Sequence, residues 1–226
     1  MGKQQNYAHL DPYIPGSSYK QIFDMLHKVA LLRYVNESHL RALNPKQGTK
    51  GKTEKWVELS YLDQILPGVY TITRLTYLTL RDEKYQLEYI QQKFRAKTAE
   101  HSLKISSVLV DMMSQEDFFY VFYPSFSDPD DKTREIVKPD ACVIFKRDNL
   151  AKLLFLEVED SIKPPGYLEK KARGYEKISH SIETYHWWKG VCDKLGFEYC
   201  EVKDFCFSIK LFKNGEERSF INGLAQ

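Results

Sequence analysis

Three acidic residues in the second half of the sequence stand at the ends of two strand-like segments. Asp140 directly precedes ACVIF, whereas Glu157 and Glu159 end the apolar segment LLFLEVE. Side chains alternate along a strand, so Glu157 and Glu159 project from the same face. If the two segments form an antiparallel hairpin, Asp140 lies beside the end of the second strand. We therefore expect three carboxylates at one edge of a sheet.

Carboxylates grouped in this way have the chemistry of a divalent-cation site. Mg²⁺ takes oxygen ligands and is usually held by one or two carboxylates together with water and substrate phosphates. A cation bound there supports the hydrolysis of a phosphodiester. The sequence has no G-x-S-x-G motif and no G-x-x-x-x-G-K-[ST] loop. Neither a serine hydrolase nor a P-loop nucleotidase is therefore indicated.

The order of these motifs resembles the PD-(D/E)XK nuclease core, in which proline-aspartate, a hairpin and acid-x-acid follow one another. Within that superfamily the chain resembles the replication-relaxation proteins of plasmids and phages, in which a winged helix precedes a nuclease-like domain. The resemblance covers most of residues 19–178. It rests on the front helices with LTYLTLRDEKY and on the segments AEHSLKISSVLVDM, PDACVIF, FLEVED and YLEKKARGY.

The resemblance implies a role for individual residues. Asp140 and Glu157 match the acids that bind Mg²⁺ or Mn²⁺, and the carbonyl of Val158 matches the usual third protein ligand. Glu159 stands where the nuclease motif has a lysine, and a carboxylate cannot offset developing negative charge as an ammonium does. The matching lysine is Lys171 on the following helix, which would orient the attacking water. The implied catalytic set of an endodeoxyribonuclease is thus Asp140, Glu157, Glu159 and Lys171.

Two interpretations of this site stay open at the level of sequence. If Lys171 reaches the acids, the domain is a metal-dependent phosphodiesterase. If it does not, the fold is an inactive DNA-binding or protein-adaptor module that regulates replication or transcription. The simplest alternative is that the acids only keep a strand end soluble.

The elements that position these residues have a mixed α and β order. We expect a polar, mainly helical connector near residues 84–100, then strands, a helix from about 165 to 192, and the strands FEYCEVKD and FCFSIKLF. This order predicts an α/β or α+β domain with a mixed sheet over residues 84–226. The resemblance implies that this sheet is like that of restriction endonucleases.

The front of the chain is predicted to be helical. After a flexible arm at residues 1–18, apolar spacing predicts a helix over 18–32 with Ser18 as N-cap, and a short helix after the N-cap Asn36. A third helix is expected over 53–66, ended by Pro67-Gly68. The segment VYTITRLTYLTL then fits two short strands, or one strand and an extension that leads into a helix. Three helices and a β element predict a winged helix-turn-helix over residues 19–83.

Four lysines near the third helix are candidates for contacts with DNA phosphates, namely Lys46, Lys50, Lys52 and Lys55. The helix TEKWVELSYLDQIL is poor in Arg, Asn and Gln, so direct reading of bases is not expected. The alternative is a small structural or protein-binding bundle with a solvated lysine loop.

Composition sets the class of protein. The 226 residues are enough for two domains, and the net charge of +2 divides into +4 for residues 1–80 and −2 for the remainder. There is no apolar run of about 18 residues, no apolar leader and no CxxC pair, which predicts a cytoplasmic protein without membrane spans. The resemblance to replication-relaxation proteins implies a factor of a bacterial mobile element that acts on double-stranded DNA in plasmid or phage replication, relaxation or mobilisation.

Partners and assembly are less defined by the sequence. Replication or relaxase proteins are candidate partners, and the aromatic segment Tyr185–Trp188 is a candidate docking site for one of them. The oligomeric state stays open, and a dimer is compatible with the sequence.

Overall fold

The computed structural model describes residues 19–44, 52–87, 98–127, 135–159, 163–179, 181–213 and 216–224. Contacts divide the chain into two compact units, Met1–Ser106 and Ser107–Gln226, so the division falls inside a helix. The predicted mixture of α and β structure is confirmed. The predicted arm at residues 1–18, with the N-cap Ser18, lies outside the described residues. In the described part of the chain, no helix combines the length and apolar character needed to cross a membrane.

In its described residues, the first unit has helices and a β-hairpin. Its elements are α1 (Tyr19–Leu32), α2 (Glu37–Leu43), α3 (Lys52–Glu58), β1 (Leu62–Leu66), β2 (Val69–Ile72), α4 (Arg74–Asp82) and the beginning of α5 (Ala99–Met112).

The start of α2 confirms its predicted N-cap. Asn36 has extended backbone, and its side-chain Oδ1 accepts a hydrogen bond from the His39 N–H at 3.0 Å. His39 Nδ1 in turn accepts from the Asn36 N–H at 3.3 Å, so a histidine takes the place that Glu or Gln has in most capping boxes. Two N–H groups that the helix leaves without partners are thereby bonded.

The third helix is shorter than predicted, and the expectation of one helix over 53–66 is wrong. Ser60 adopts a left-handed φ of 59°, its N–H donates to Val57 O, and the Tyr61 N–H donates to Trp56 O at 2.8 Å. This pair of bonds is a Schellman motif, which ends a helix. Residues 62–66 then form β1, which pairs antiparallel with β2 around the exposed Pro67-Gly68 turn.

The segment after this turn is one strand that leads into a helix. Only Val69–Ile72 of VYTITRLTYLTL forms a strand, and Thr73 caps α4 by accepting from the Thr76 N–H at 3.0 Å. The Thr73 hydroxyl also donates to Ser60 O at 2.7 Å, and that of Thr76 donates to Tyr61 O at 2.8 Å. These hydroxyls therefore hold the start of α4 against the end of α3.

The second unit is built on a five-stranded mixed sheet in the order β3-β6-β7-β8-β9. Strands β7 and β8 are parallel and the other neighbours are antiparallel. A parallel neighbour requires a crossover, and two helices supply it. The elements are β3 (Phe118–Phe122), β4 (Phe126–Ser127), β5 (Glu135–Val137), β6 (Ala141–Arg147), β7 (Leu150–Glu159), α6 (Tyr167–Ser179), α7 (Ile182–Leu195), β8 (Glu201–Lys213) and β9 (Glu216–Leu224), with β4 and β5 paired in a small separate sheet.

Two further boundaries differ from the predictions. The single helix expected over about 165–192 is two helices, because Ser181 accepts from the Thr184 N–H and begins α7. FEYCEVKD and FCFSIKLF were expected as two strands, yet residues 201–213 form one. The pairing register with β7 shifts by one residue, so that Ala151 opposes Val202 and Lys152 opposes Asp204. The extra residue, Lys203, is a β-bulge that lets the strand continue.

Candidate active site

The hairpin of β6 and β7 aligns two of the predicted acids, and its antiparallel pairing is confirmed. Ala141 pairs with Leu156, so Asp140 falls opposite Glu157 at the end of the ladder. Asp140 Oδ2 accepts a hydrogen bond from the Val158 N–H at 2.8 Å. This hydrogen bond holds the Asp140 side chain beside the end of β7.

Glu157 and Glu159 are buried, although both are acids. Their relative exposures are 1% and 6%. Burial of an ionised carboxylate has a desolvation cost on the order of several kcal/mol, unless cations and hydrogen-bond donors compensate that cost. The compensating groups come from the segment that follows β7, and most of them lie on α6.

Helix α6 directs one face toward the two glutamates. Lys171 and Tyr175 are four residues apart and therefore share this face. The Lys171 ammonium forms ion pairs with Glu157 Oε2 and with Glu159 Oε1, the latter at 3.1 Å. The Tyr175 hydroxyl donates to Glu157 Oε1. Both oxygens of Glu157 thus accept hydrogen bonds from α6.

The ring of Tyr175 is held by stacking. It is fully buried and lies between the rings of Phe155 and Phe207, with centroid distances of 5.7 Å and 5.6 Å and interplanar angles of 21° and 14°. Aromatic packing of this kind leaves the hydroxyl little freedom. Its direction toward Glu157 is therefore set by the core and not by solvent.

The electrostatics of the cluster follow from burial and from neighbouring charges. Burial raises the pKa of Glu157 to about 7, repulsion from Asp140 adds to the rise, and Lys171 and Tyr175 oppose it. Burial works to lower the pKa of Lys171, but the two glutamates outweigh burial and raise that pKa well above its usual value. Burial and Glu157 also raise the pKa of Tyr175, so its hydroxyl stays protonated and donates.

The second oxygen of Glu159 binds another lysine. Glu159 Oε2 lies 2.8 Å from the Lys163 ammonium. Neither Lys163 nor the Tyr175 hydroxyl belonged to the predicted site. The cues available in the sequence are the spacings of four residues from Glu159 to Lys163 and from Lys171 to Tyr175, and such spacings are common in any chain.

The predicted site residues fall into two groups. The acids Asp140, Glu157 and Glu159 and the base Lys171 are brought together at the end of β7. The lysines proposed for DNA belong to the first unit: Lys52 and Lys55 lie on α3, where Lys55 is exposed, and Lys46 and Lys50 lie outside the described residues.

The aromatic segment predicted for docking is only partly accessible. Trp188 is fully buried and its indole N–H donates to Cys200 O at 2.9 Å. Trp187 is half-buried and packs edge-to-face against Phe122 and Phe126. Tyr185 alone of the three is exposed. Both tryptophans therefore contribute to packing within the second unit.

The donor set is chemically suited to a hard cation. Because the N–H and C=O of one strand residue face the same side of the strand, Val158 presents its carbonyl on the side of Asp140. Two carboxylates and a carbonyl are oxygen ligands of the kind that Mg²⁺ accepts, and each carboxylate oxygen has a second lone pair. Across the described segments, no group of three or more His, Cys, Asp or Glu side chains is arranged to hold a metal ion. The residues fit a cation held by two acids, the carbonyl and water.

Comparison of the chain with protein-family models, with curated proteins and with solved structures found no match. The resemblance to replication-relaxation proteins therefore stays a prediction from the sequence. The buried cluster at the end of β7 is the chemically distinctive feature of the second unit.

Proposed function

We propose that the protein is a metal-dependent DNA endonuclease whose centre is formed by Asp140, Glu157 and Lys171. One observation carries the proposal: the Lys171 ammonium pairs with Glu157 and Glu159 beside Asp140, and so supplies the positive charge that Glu159 cannot. Acids that only kept a strand end soluble would be exposed, whereas these two glutamates are buried. The cost of that burial favours a functional reason for keeping them.

Each residue then has a distinct task. Mg²⁺ or Mn²⁺, held by Asp140, Glu157 and the Val158 carbonyl, would polarise the scissile phosphate and lower the pKa of a bound water. Lys171 keeps its proton, because its pKa is raised, and it orients the water and offsets negative charge on the phosphate. Tyr175 holds Glu157 in one orientation through its hydrogen bond to Oε1.

The substrate we infer is double-stranded DNA of a bacterial mobile element, handled in plasmid or phage replication, relaxation or mobilisation. The order of three helices and a β-hairpin in the first unit is that of a winged helix, and the excess positive charge lies in residues 1–80. Lys52 and Lys55 on α3 would contact phosphates there. The reaction would take place in the cytoplasm, with replication or relaxase proteins as candidate partners.

The test is cleavage of supercoiled plasmid DNA in Mg²⁺ or Mn²⁺. Asp140→Asn and Glu157→Gln are expected to abolish nicking, and Lys171→Met to reduce its rate on the order of 100-fold. Glu169→Gln and Lys170→Met, both on exposed positions of the same helix, are matched controls and should cleave like the parent protein. Nicking that persists in both acid variants contradicts the proposal.

A second candidate function is DNA binding without catalysis. It is favoured by the engagement of both Glu157 oxygens with α6, which leaves only second lone pairs for a cation. This alternative predicts salt-sensitive DNA retention in chelator, no nicking in any divalent cation, and weaker retention after Lys52→Ala with Lys55→Ala. Metal-dependent nicking that the acid variants lose would exclude it.

A further inference from the structure

Glu159 is the buried acid to which the proposed reaction gives no task. Each of its oxygens holds a different lysine: Oε1 lies 3.1 Å from the Lys171 ammonium and Oε2 lies 2.8 Å from that of Lys163. The two lysines come from different segments, one from the chain that leaves β7 and the other from α6. Glu159 therefore sets the distance between two positive charges at the edge of the cluster.

A tight turn brings these segments together. The Tyr167 N–H donates to Pro164 O at 3.2 Å, and Gly166 has a φ of 78°. Proline at the second and glycine at the third position are typical of a type II turn, in which the third residue needs a positive φ. The turn places the Tyr167 ring beneath both ammonium groups, 5.1 Å from Lys163 and 5.6 Å from Lys171.

The positive charges of Lys163 and Lys171 repel each other, because both ammonium groups lie against Glu159 and the Tyr167 ring. The hydrogen bond from Glu159 raises the pKa of Lys163, whereas Lys171 acts to lower it. The Tyr167 ring face and the shared carboxylate offset part of this repulsion. An anion between the two ammonium groups would offset more of it, so the pair is suited to bind one.

The two lysines are also accessible at their outer sides. Their side chains are 23% exposed for Lys171 and 27% exposed for Lys163, whereas Glu159 beneath them is buried. An ammonium has three N–H donors. Lys163 directs one of them to Glu159, and Lys171 directs two to the glutamates. Donors therefore remain on both ammonium groups, and both side chains are partly exposed.

We propose that Lys163 and Lys171 form a subsite for one backbone phosphate of DNA, with Glu159 as the residue that positions both. This inference rests on the proposed function, because it takes DNA as the ligand of the same cluster. The subsite adds Lys163 to the residues that bind substrate. It also gives a role to Glu159, which stands where the nuclease motif has a lysine: Glu159 positions two lysines from other parts of the chain.

The experiment measures binding of a fluorescently labelled DNA duplex by anisotropy in EDTA, over a range of salt concentrations. Lys163→Gln should weaken binding and lower the slope of log K against log salt by about 1, as expected for one lost phosphate contact. Lys163→Arg should restore both quantities. Lys152→Gln is the control, because this exposed lysine is at the other end of β7, about 23 Å from Glu159 at the rise of a strand.

The outcomes separate this inference from the proposed nuclease. If Lys163→Gln binds DNA with the affinity and slope of Lys152→Gln, the subsite is wrong, even when plasmid nicking is intact. If no divalent cation supports nicking but the slope still falls in Lys163→Gln and recovers in Lys163→Arg, the subsite stands and the nuclease fails. Thermal melting of each variant shows that the fold is retained, and a lower affinity with an unchanged slope also counts against the subsite.

Discussion

The two units differ in the polar groups that they bury. In the first unit, the buried hydroxyls of Thr76 and Ser106 bind backbone carbonyls: Thr76 donates to Tyr61 O, and Ser106 donates to Tyr34 O at 2.6 Å. In the second unit the Thr184 hydroxyl likewise donates to Ile178 O, but this unit also buries Glu157 and Glu159. Neutral hydroxyls complete the bonding of helix ends and turns, whereas buried carboxylates require a cation.

Buried hydroxyls and buried carboxylates differ in how far stability alone explains their retention. A hydroxyl bonded to a carbonyl contributes about 1 kcal/mol to stability, so its retention needs no other reason. A buried ion pair is often no more stabilising than a packed apolar pair would be, so its retention points to chemistry. Removal of one partner should therefore cost far more in the second unit than in the first.

The largest effect is expected for Lys171→Met. The variant leaves Glu157 and Glu159 buried without their shared cation. The free energy of unfolding should fall by about 3 kcal/mol, which is the lower end of the range for loss of one partner of a buried ion pair, because Lys171 is partly exposed. Urea unfolding at pH 8 measures this loss. Lys170→Met, at an exposed neighbouring position, should change stability by less than about 0.5 kcal/mol. The loss should shrink at pH 5, where Glu157 takes up a proton; an equal loss at both values would argue against a charge effect.

The next effect is the pH dependence that Glu157 imposes. Its pKa is about 7 in the folded protein, against an ordinary value of 4.5. The folded state therefore binds this proton more tightly than the unfolded state, and the free energy of unfolding should fall as the pH rises from about 4.5 to 7. The pKa difference corresponds to a loss of at most about 3 kcal/mol. Urea unfolding across this range should show a flatter profile for Glu157→Gln, and an unchanged profile would contradict the raised pKa.

The first unit should show a smaller dependence of opposite sign. Burial lowers the pKa of His27, and its hydrogen bond with Gln86 O offsets only part of this. The folded state then binds this proton less tightly than the unfolded state, so stability should decline as the pH falls below about 6.5. His27→Gln should lose less stability than the parent protein between pH 6.5 and 5.5 in urea unfolding. If His27→Gln lost more stability than the parent protein between these pH values, the pKa of His27 would be raised in the folded state and not lowered.

Tyr175→Phe tests the hydroxyl without disturbing the stack. The ring stays between Phe155 and Phe207, so the cost should be about 1.5 kcal/mol, the lower end of the range for a hydrogen bond to a charged group. The hydroxyl lowers the pKa of Glu157, so its removal should raise that pKa above about 7, which carboxyl NMR titration measures. Tyr185→Phe, at an exposed tyrosine, is the control and should leave the titration unchanged.

Local patterns predicted the parts of the site that depend on one element. Alternation along a strand was enough to put Glu157 and Glu159 on one face, and the hairpin of β6 and β7 followed from two apolar segments with a turn between them. Each of these inferences needs only the period of a strand. A helix after β7 was also predictable from its pattern, whereas Lys171 was assigned on that helix from the resemblance to replication-relaxation proteins.

The remaining features of the fold and the site depend on backbone conformations that residue types do not predict. Ser60 ends α3 with a positive φ, which glycine usually provides, so apolar spacing alone continued the predicted helix into β1. Lys203 forms a β-bulge within β8, and the sequence does not distinguish such a bulge from a break between two strands. Lys163 joins the cluster only because the Pro164–Tyr167 turn brings it over the Tyr167 ring. Tertiary geometry decides all three.

The smallest effect is expected at the predicted N-cap of the first unit. Asn36→Ala removes the acceptor of the His39 N–H, and helix caps of this kind contribute about 1 kcal/mol. Urea unfolding should show that loss, and Asn36→Asp should keep nearly full stability because aspartate caps as well as asparagine does. The cap involves no buried carboxylate, so at the same pH the loss from Asn36→Ala should be well below that from Lys171→Met. If Asn36→Ala cost as much as Lys171→Met, buried charge would not be what distinguishes the second unit from the first.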